Sequence, residues 1–140
     1  MTLEANKALA RKILGLWAGN ANEDARAFIA DTYVNHQEPF VDDGANDLGL
    51  EAWLALVEGH KVAFPDCRVE ILRQVAEGDT VATRWRFSAT NKGPYLGRPA
   101  TNKPLSWTGI EIDVIKDGKI IESWVDWDMV RQLRQLGHIA

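Results

Sequence analysis

The apolar positions change period once along the chain. Up to residue 64 they recur at helical spacing, and after Pro65 they alternate. Leu9, Ile13, Leu16 and Trp17 share one helix face, with Thr2 placed to cap that helix and Glu4 in its first turn. Gly19-Asn20 stops it. Asn22-Glu23-Asp24 predicts a second, short helix that opens on a cap and acids facing its positive end, with Ala25, Phe28 and Ile29 as its apolar side. Tyr33-Val34-Asn35-His36 reads as a short extended piece. Pro39 and Asp42-Asp43-Gly44-Ala45-Asn46 read as a loop. A third helix is predicted from about residue 48 to 64, buried along Leu50, Trp53, Leu54, Val57 and Phe64 and ended by Pro65.

The second half is strand-like. Val69, Ile71, Arg73 and Val75 share one parity, Glu77-Gly78-Asp79 turns the chain, and Val81, Thr83, Trp85 and Phe87 share the next parity, which predicts a long hairpin. Residues 91 to 104 hold Gly93-Pro94, Gly97, Pro99 and Pro104 and form a loop. Strand character returns over 105 to 115, Asp117-Gly118 is a tight-turn pair, and 119 to about 127 supplies the partner strand. A last short helix follows over 129 to 136, with Gly137 at its C′ position. Helices first and antiparallel strands after, without βαβ alternation, predict an α+β fold with helices on one face of a curved sheet. No linker or repeat divides residues 1–140, so one domain is expected.

Composition narrows the function. The 140 residues are 46% hydrophobic, enough for a packed core, and carry a formal charge of −4 with no basic block, which disfavours nucleic acid and anionic membrane as partners. Cys67 is the single cysteine, so neither an internal disulfide nor a cysteine zinc site is expected. Met1-Thr2-Leu3-Glu4-Ala5-Asn6-Lys7 does not resemble a signal peptide, and no apolar stretch approaches the ~20 residues of a membrane span. The expectation is a cytoplasmic protein. There is no dinucleotide or P-loop glycine pattern, no G-x-S-x-G and no H-E-x-x-H.

What remains is ionisable groups among aromatics. In Glu122-Ser123-Trp124-Val125-Asp126-Trp127-Asp128, a strand would put Glu122, Trp124, Asp126 and Asp128 on one face. If that face lines a pocket, indole rings desolvate a carboxyl and raise its pKa toward neutrality, where it serves as general acid or base. Alternatively the aspartates lie at the strand end, and Asp128 caps the final helix. Glu111 shares its parity with Trp107 and Asp113. It could pair with Asp126 or Asp128 in a pocket, or belong with Asp113 to a solvated face. Arg84 and Arg86 alternate with Trp85 and Phe87, and either meet a buried carboxylate or stand exposed. His36, after Tyr33 and Asn35, could shuttle a proton or hold a carbonyl, or could be structural. His60 and His138 read as surface residues. Of six tryptophans, Trp17 and Trp53 fit the core, while Trp85, Trp107, Trp124 and Trp127 could wall a flat apolar ligand.

Ordered pieces of the chain resemble the SnoaL-like polyketide cyclase family. They are Tyr33-Val34-Asn35-His36, Phe64-Pro65-Asp66, Glu77-Gly78-Asp79 with Val81 and Arg84, the Gly93 to Thr101 loop, and Asp117-Gly118-Lys119-Ile120-Ile121-Glu122-Ser123-Trp124 with Asp128 and Gln135-Leu136-Gly137. The resemblance implies the nuclear-transport-factor-2-like fold, a cone whose curved antiparallel or mixed sheet and N-terminal helices enclose one apolar pocket. It implies a homodimer, and cofactor-free ring closure of a polyketide ester by intramolecular aldol condensation. The family's acid–base aspartate lies in the segment matching Trp124 to Asp128. Of its two acidic positions the first is Val125 here and the second Asp128, with Asp126 extra. A histidine common on the preceding strand aligns with Glu111. The expected catalytic set is therefore Asp128, Asp126, Glu111 and His36. Arg84, Trp85, Trp107, Trp124, Tyr33 and Asn35 are expected to bind a hydrophobic small molecule. Epoxide hydrolysis or dehydration, and binding without catalysis, stand as alternatives.

Overall fold

The computed structural model describes residues 2–37 and 47–140. The loop expected around Pro39 and 42–46 lies outside them. Helix α1 spans Leu3–Gly15, and Thr2 Oγ1 accepts a hydrogen bond from the Ala5 N–H at 3.0 Å, as a capping side chain should. The predicted second helix is instead a single 3-10 turn, Ala25–Ala27, behind an Asp24 cap. Ile29 already opens strand β1 (Ile29–Gln37), which leaves too few residues to repay the nucleation of an α-helix. Strand β2 (Asp47–Gly49) runs directly into α2 (Leu50–Ala63), so the third helix begins later than its apolar pattern suggested. Nothing local marks β2. Asp47, Leu48 and Gly49 become a strand by pairing antiparallel with His36, Asn35 and Val34.

Strands β3 (Arg68–Glu77), β4 (Thr80–Thr90), β5 (Pro104–Lys116) and β6 (Lys119–Trp127) follow, and then helix α3 (Met129–Leu136). The sheet order is β2-β1-β6-β5-β4-β3. Every described pairing is antiparallel except β1 with β6, which is parallel, so the sheet is mixed and carries the N-terminal helices as an α+β fold. Asp117 and Gly118 both take positive φ (52° and 76°), the backbone a two-residue hairpin turn of matching twist requires. Gly137 closes α3 in the left-handed region at φ 78°.

One register detail decides which side chains face inward. The β3–β4 pairing shifts between Ile71 and Arg73. A bulge flips the parity of everything beyond it. Val69 and Ile71 pack against the core, but past the shift Gln74 and Ala76 turn inward and Val75 is exposed, against the single parity predicted for the strand. Two apolar clusters fill the space between helices and sheet. One gathers around Ile13, Ile29, Trp53 and Ile120, the other around Phe64, Trp85, Phe87 and Trp107. Trp17 touches both, standing edge-on to Trp53 with ring centroids 5.9 Å apart.

Candidate active site

Alternation along β5 puts Leu105, Trp107, Gly109, Glu111, Asp113 and Ile115 on the buried face. On β6 the buried face carries Ser123 and Val125. Between this sheet face and the helices lies a cavity of about 360 Å³. Trp85, Phe87, Trp107, Val125 and Trp127 wall it from the sheet. Leu14, Trp17, Leu56 and His60 wall it from the helix side. Pro94, Tyr95 and Leu96 close in from the loop before β5, and Gln132 from α3. Among the described residues lining it, Glu111 is the one carboxylic acid, and no lysine or arginine takes part.

Glu111 is 2% exposed and Asp113 is fully buried. Their carboxyl groups are near enough to share a hydrogen bond. Glu111 Oε2 and Asp113 Oδ2 are buried and accept no N–H or O–H from any neighbour. Two carboxyl groups can bond in this way only if one carries a proton. The Ser123 hydroxyl donates to Asp113 Oδ1 at 2.5 Å, fixing the deeper acid. Burial, and then the charge of Asp113, hold the Glu111 carboxyl well above the usual carboxylate range. Burial also lifts Asp113, to about 6, against the lowering effect of hydrogen bonds from Glu111 and Ser123. Of the two, Glu111 is the one that keeps its proton and Asp113 the one that ionises first. Tyr33 and Asn35 stand beside it on β1, the Asn35 amide donating to Tyr33 Oη at 2.7 Å. Burial, followed by the Glu111 charge, pushes the Tyr33 phenol well up, so it stays protonated.

The structure separates the remaining sequence candidates from the cavity. Asp126, expected on the pocket face, is exposed on the other side of the sheet, because Ser123 and Val125 are the inward residues of β6. Asp128 caps α3, its Oδ1 accepting from the Arg131 N–H at 3.0 Å. Trp124 is 41% exposed on the outer face rather than walling a ligand. Arg84 is exposed there too, opposite Arg73 across the shifted β3–β4 register, and Arg86 pairs with Glu70. His36 is also on the outer face. It stacks on Trp124 at 5.0 Å, with Nδ1 2.7 Å from Asp47 and Nε2 2.7 Å from Glu122.

Those bonds from Glu122 and Asp47 raise the His36 pKa. A histidine whose folded pKa exceeds its unfolded value stabilises fully below about pH 6.5, and this contribution fades as pH rises through the folded pKa. His36→Gln should therefore destabilise the protein at mildly acidic pH and much less at alkaline pH. Thermal melts of both proteins across pH test this, and a constant difference would reject the ion-paired imidazolium.

Three inward residues lay outside the sequence reading. Asp113, for which a solvated face stands as the alternative in the sequence, is buried on the face it shares with Leu105, Trp107 and Ile115. His60 was read as a surface residue, yet it is 9% exposed and lines the cavity. Its signal was present, because Trp53, Val57, His60 and Phe64 follow one helical stripe. Burial lowers its pKa to about 4, so it is a neutral imidazole. Gly109 makes room for the cavity wall. A Cβ there would stand 2.2 Å from Trp85 Cζ2 and 2.7 Å from the Asp126 carbonyl oxygen. Gly109→Ala should cost about 1–3 kcal/mol and displace the Trp85 indole. Gly15→Ala, where an added Cβ meets nothing, is the control. Equal denaturation midpoints for Gly109→Ala and the unaltered protein would contradict this packing.

The family model for SnoaL-like polyketide cyclases matches residues 7–136. The chain belongs to this family, within the nuclear-transport-factor-2-like superfamily. Among solved structures it is similar to AclR, a candidate hydroxylase from Streptomyces galilaeus, at 27% identity over 99% of this chain and 100% of that one, with a TM-score of 0.86. It is also similar to IdmH, a candidate polyketide cyclase from Streptomyces antibioticus, at 27% identity over 94% and 98% of the two chains, with a TM-score of 0.81. TsrD from Streptomyces laurentii shares the fold at 24% identity, covering 99% of each chain, with a TM-score of 0.84. None of the curated proteins compared matches the chain. Among the described residues no helix is long and apolar enough to cross a membrane.

Proposed function

We propose that the protein is an acid–base enzyme that moves a proton next to a carbonyl in a flat hydrophobic substrate, as intramolecular aldol ring closure requires. The observation that carries this reading is the buried Glu111–Asp113 carboxyl pair, whose Glu111 member lines an apolar cavity. The cone expected of the curved sheet and helices would close around that cavity. A carboxyl tuned toward neutrality by burial is poised both to take and to return a proton. The shared proton first passes from Glu111 to Asp113, and the Glu111 carboxylate then takes a proton from the carbon beside the carbonyl, leaving an enolate and a doubly protonated pair. The enolate carbon bonds to a second carbonyl carbon of the same molecule. The alkoxide so formed takes the proton back from Glu111, and the pair regains its starting state. The apolar walls hold the substrate folded, which lowers the entropic part of the barrier.

Val125 and Glu111 face one another across the β5–β6 pair. The acid that family resemblance places directly after Trp124 is thus a valine here, and a carboxyl group stands opposite it on the neighbouring strand. Epoxide hydrolysis through a carboxylate pair aided by Arg84 loses its cation, since Arg84 is on the outer face. The test uses 2-acetonaphthone, a flat aromatic ketone with exchangeable methyl protons, in deuterated buffer, followed by proton NMR. The protein should speed exchange well above buffer. Exchange at the buffer rate, with the ketone bound, would leave a binding protein instead.

A further inference from the structure

We propose that His60 is the hydrogen-bond donor that holds the substrate's carbonyl oxygen, from the helix side of the cavity. The inference deepens the acid–base reading of Glu111 and rests on it for the chemistry, though not for the binding. Four rings surround the imidazole. Their centroids lie 4.9 Å (Phe64), 5.0 Å (Trp17), 5.7 Å (Phe87) and 6.0 Å (Trp107) from its own. Both ring nitrogens, Nδ1 and Nε2, are buried with no hydrogen-bond partner in the protein. A polar residue that stays unpaired in an apolar wall is costly, by about 1–3 kcal/mol per group, and any leucine in its place would avoid that cost. His60 lines the cavity beside Trp17 and Trp107, and a small turn of its ring would bring one of these sealed nitrogens to a carbonyl placed there.

The chemistry of the group fits a carbonyl. Being neutral, the imidazole presents one N–H and one lone pair and adds no charge to the site. A cationic donor would form an ion pair with the Glu111 carboxylate and weaken it as a base. A neutral N–H can polarise a carbonyl and stabilise the enolate oxygen without doing so. The Tyr95 hydroxyl of the wall is already engaged, donating to Gln132 Oε1 at 3.2 Å. Trp85 Nε1 is the competing donor, buried and unpartnered on the sheet side.

The test reads the bound ketone directly. In 2-acetonaphthone labelled with carbon-13 at the carbonyl, the infrared C=O stretch falls when the oxygen accepts a hydrogen bond. Bound to the unaltered protein, it should lie below its value in cyclohexane. In His60→Phe the ketone should still bind, with its stretch at the cyclohexane position and its methyl exchange slowed by about 10²-fold. His60→Gln, which restores an N–H on a side chain of similar reach, should recover part of the shift. A lowered stretch that persists in His60→Phe overturns the proposal and points to Trp85 or Glu111. A cyclohexane-like stretch in the unaltered protein, or no binding up to the solubility limit, overturns it as well. A His60-dependent shift without Glu111-dependent exchange supports His60 as the carbonyl holder and rejects Glu111 as the base.

Discussion

Glu111→Gln should abolish proton exchange on a bound aromatic ketone while leaving the fold intact. The amide keeps the volume and a hydrogen bond toward Asp113 but can neither take nor return a proton. Loss of a positioned acid–base group lowers a rate by about 10²–10⁴-fold. Affinity for the ketone should change little, because the walls are aromatic. In the unaltered protein, exchange should fall on the acid side as Asp113, with its pKa at about 6, becomes protonated and no carboxylate remains in the pair. Stability moves in the opposite sense. Both folded pKa values are raised, so the pair favours folding fully below the ordinary carboxylate range, and that support is lost as pH rises through the folded values. Glu111→Gln removes one of these titrations. The variant should therefore lose less stability than the unaltered protein on going from about pH 5 to about pH 9. A Glu111→Gln protein that exchanges protons at the original rate would end the acid–base reading.

The second large effect concerns the core. Trp53→Ala should destabilise the protein by about 3–5 kcal/mol, since an indole of that size leaves a hole its neighbours cannot fill. Trp53 is completely buried and stands edge-on to Trp17 and Tyr33, with centroids 5.9 and 5.6 Å away. Trp17 reaches the cavity and Tyr33 stands beside the acidic pair, so the loss should weaken ketone binding as well. Trp53→Phe separates size from polarity. The Trp53 Nε1 is buried without a partner, so phenylalanine relieves an unsatisfied donor while giving up volume. It should cost much less than alanine. Urea denaturation of both variants measures this, and a loss below about 1 kcal/mol for Trp53→Ala would show that the helix layer is not held from this position.

What the sequence reveals is what short-range chemistry decides. The caps at Thr2 and Asp128, the Asp117-Gly118 turn and the left-handed Gly137 each depend on a few neighbouring residues, and each could be read directly. Strand β2 and the shift after Ile71 depend on partners far along the chain, and no local pattern announces them. The site suffers most from this. On β6, Trp124 and Asp126 alternate with Ser123 and Val125, and either set could line a pocket. Glu111 is legible as a candidate because Trp107 shares its face, but its partner stands two residues along the same strand and not on β6, where the sequence also offers acids. His60 follows the stripe of Trp53, Val57 and Phe64, yet a histidine on a helix is usually exposed, so its residue type points outward where its position points inward.

Strand β6 sits between β1 and β5, so the last strand of the sheet joins its first strands to its later meander. As the chain leaves the ribosome, β1, β2 and α2 have no sheet to dock on, while β3, β4 and β5 can already form a contiguous hairpin array. The edge of β1 stays open until residue 127 has emerged and both neighbours close on β6 together. The parallel contact of β1 with β6 spans most of the sequence, and such contacts slow folding because the loop between them must close first. The acidic pair and its neighbours are divided among β1, β5 and β6, so the chemistry of the cavity is assembled only in that final step.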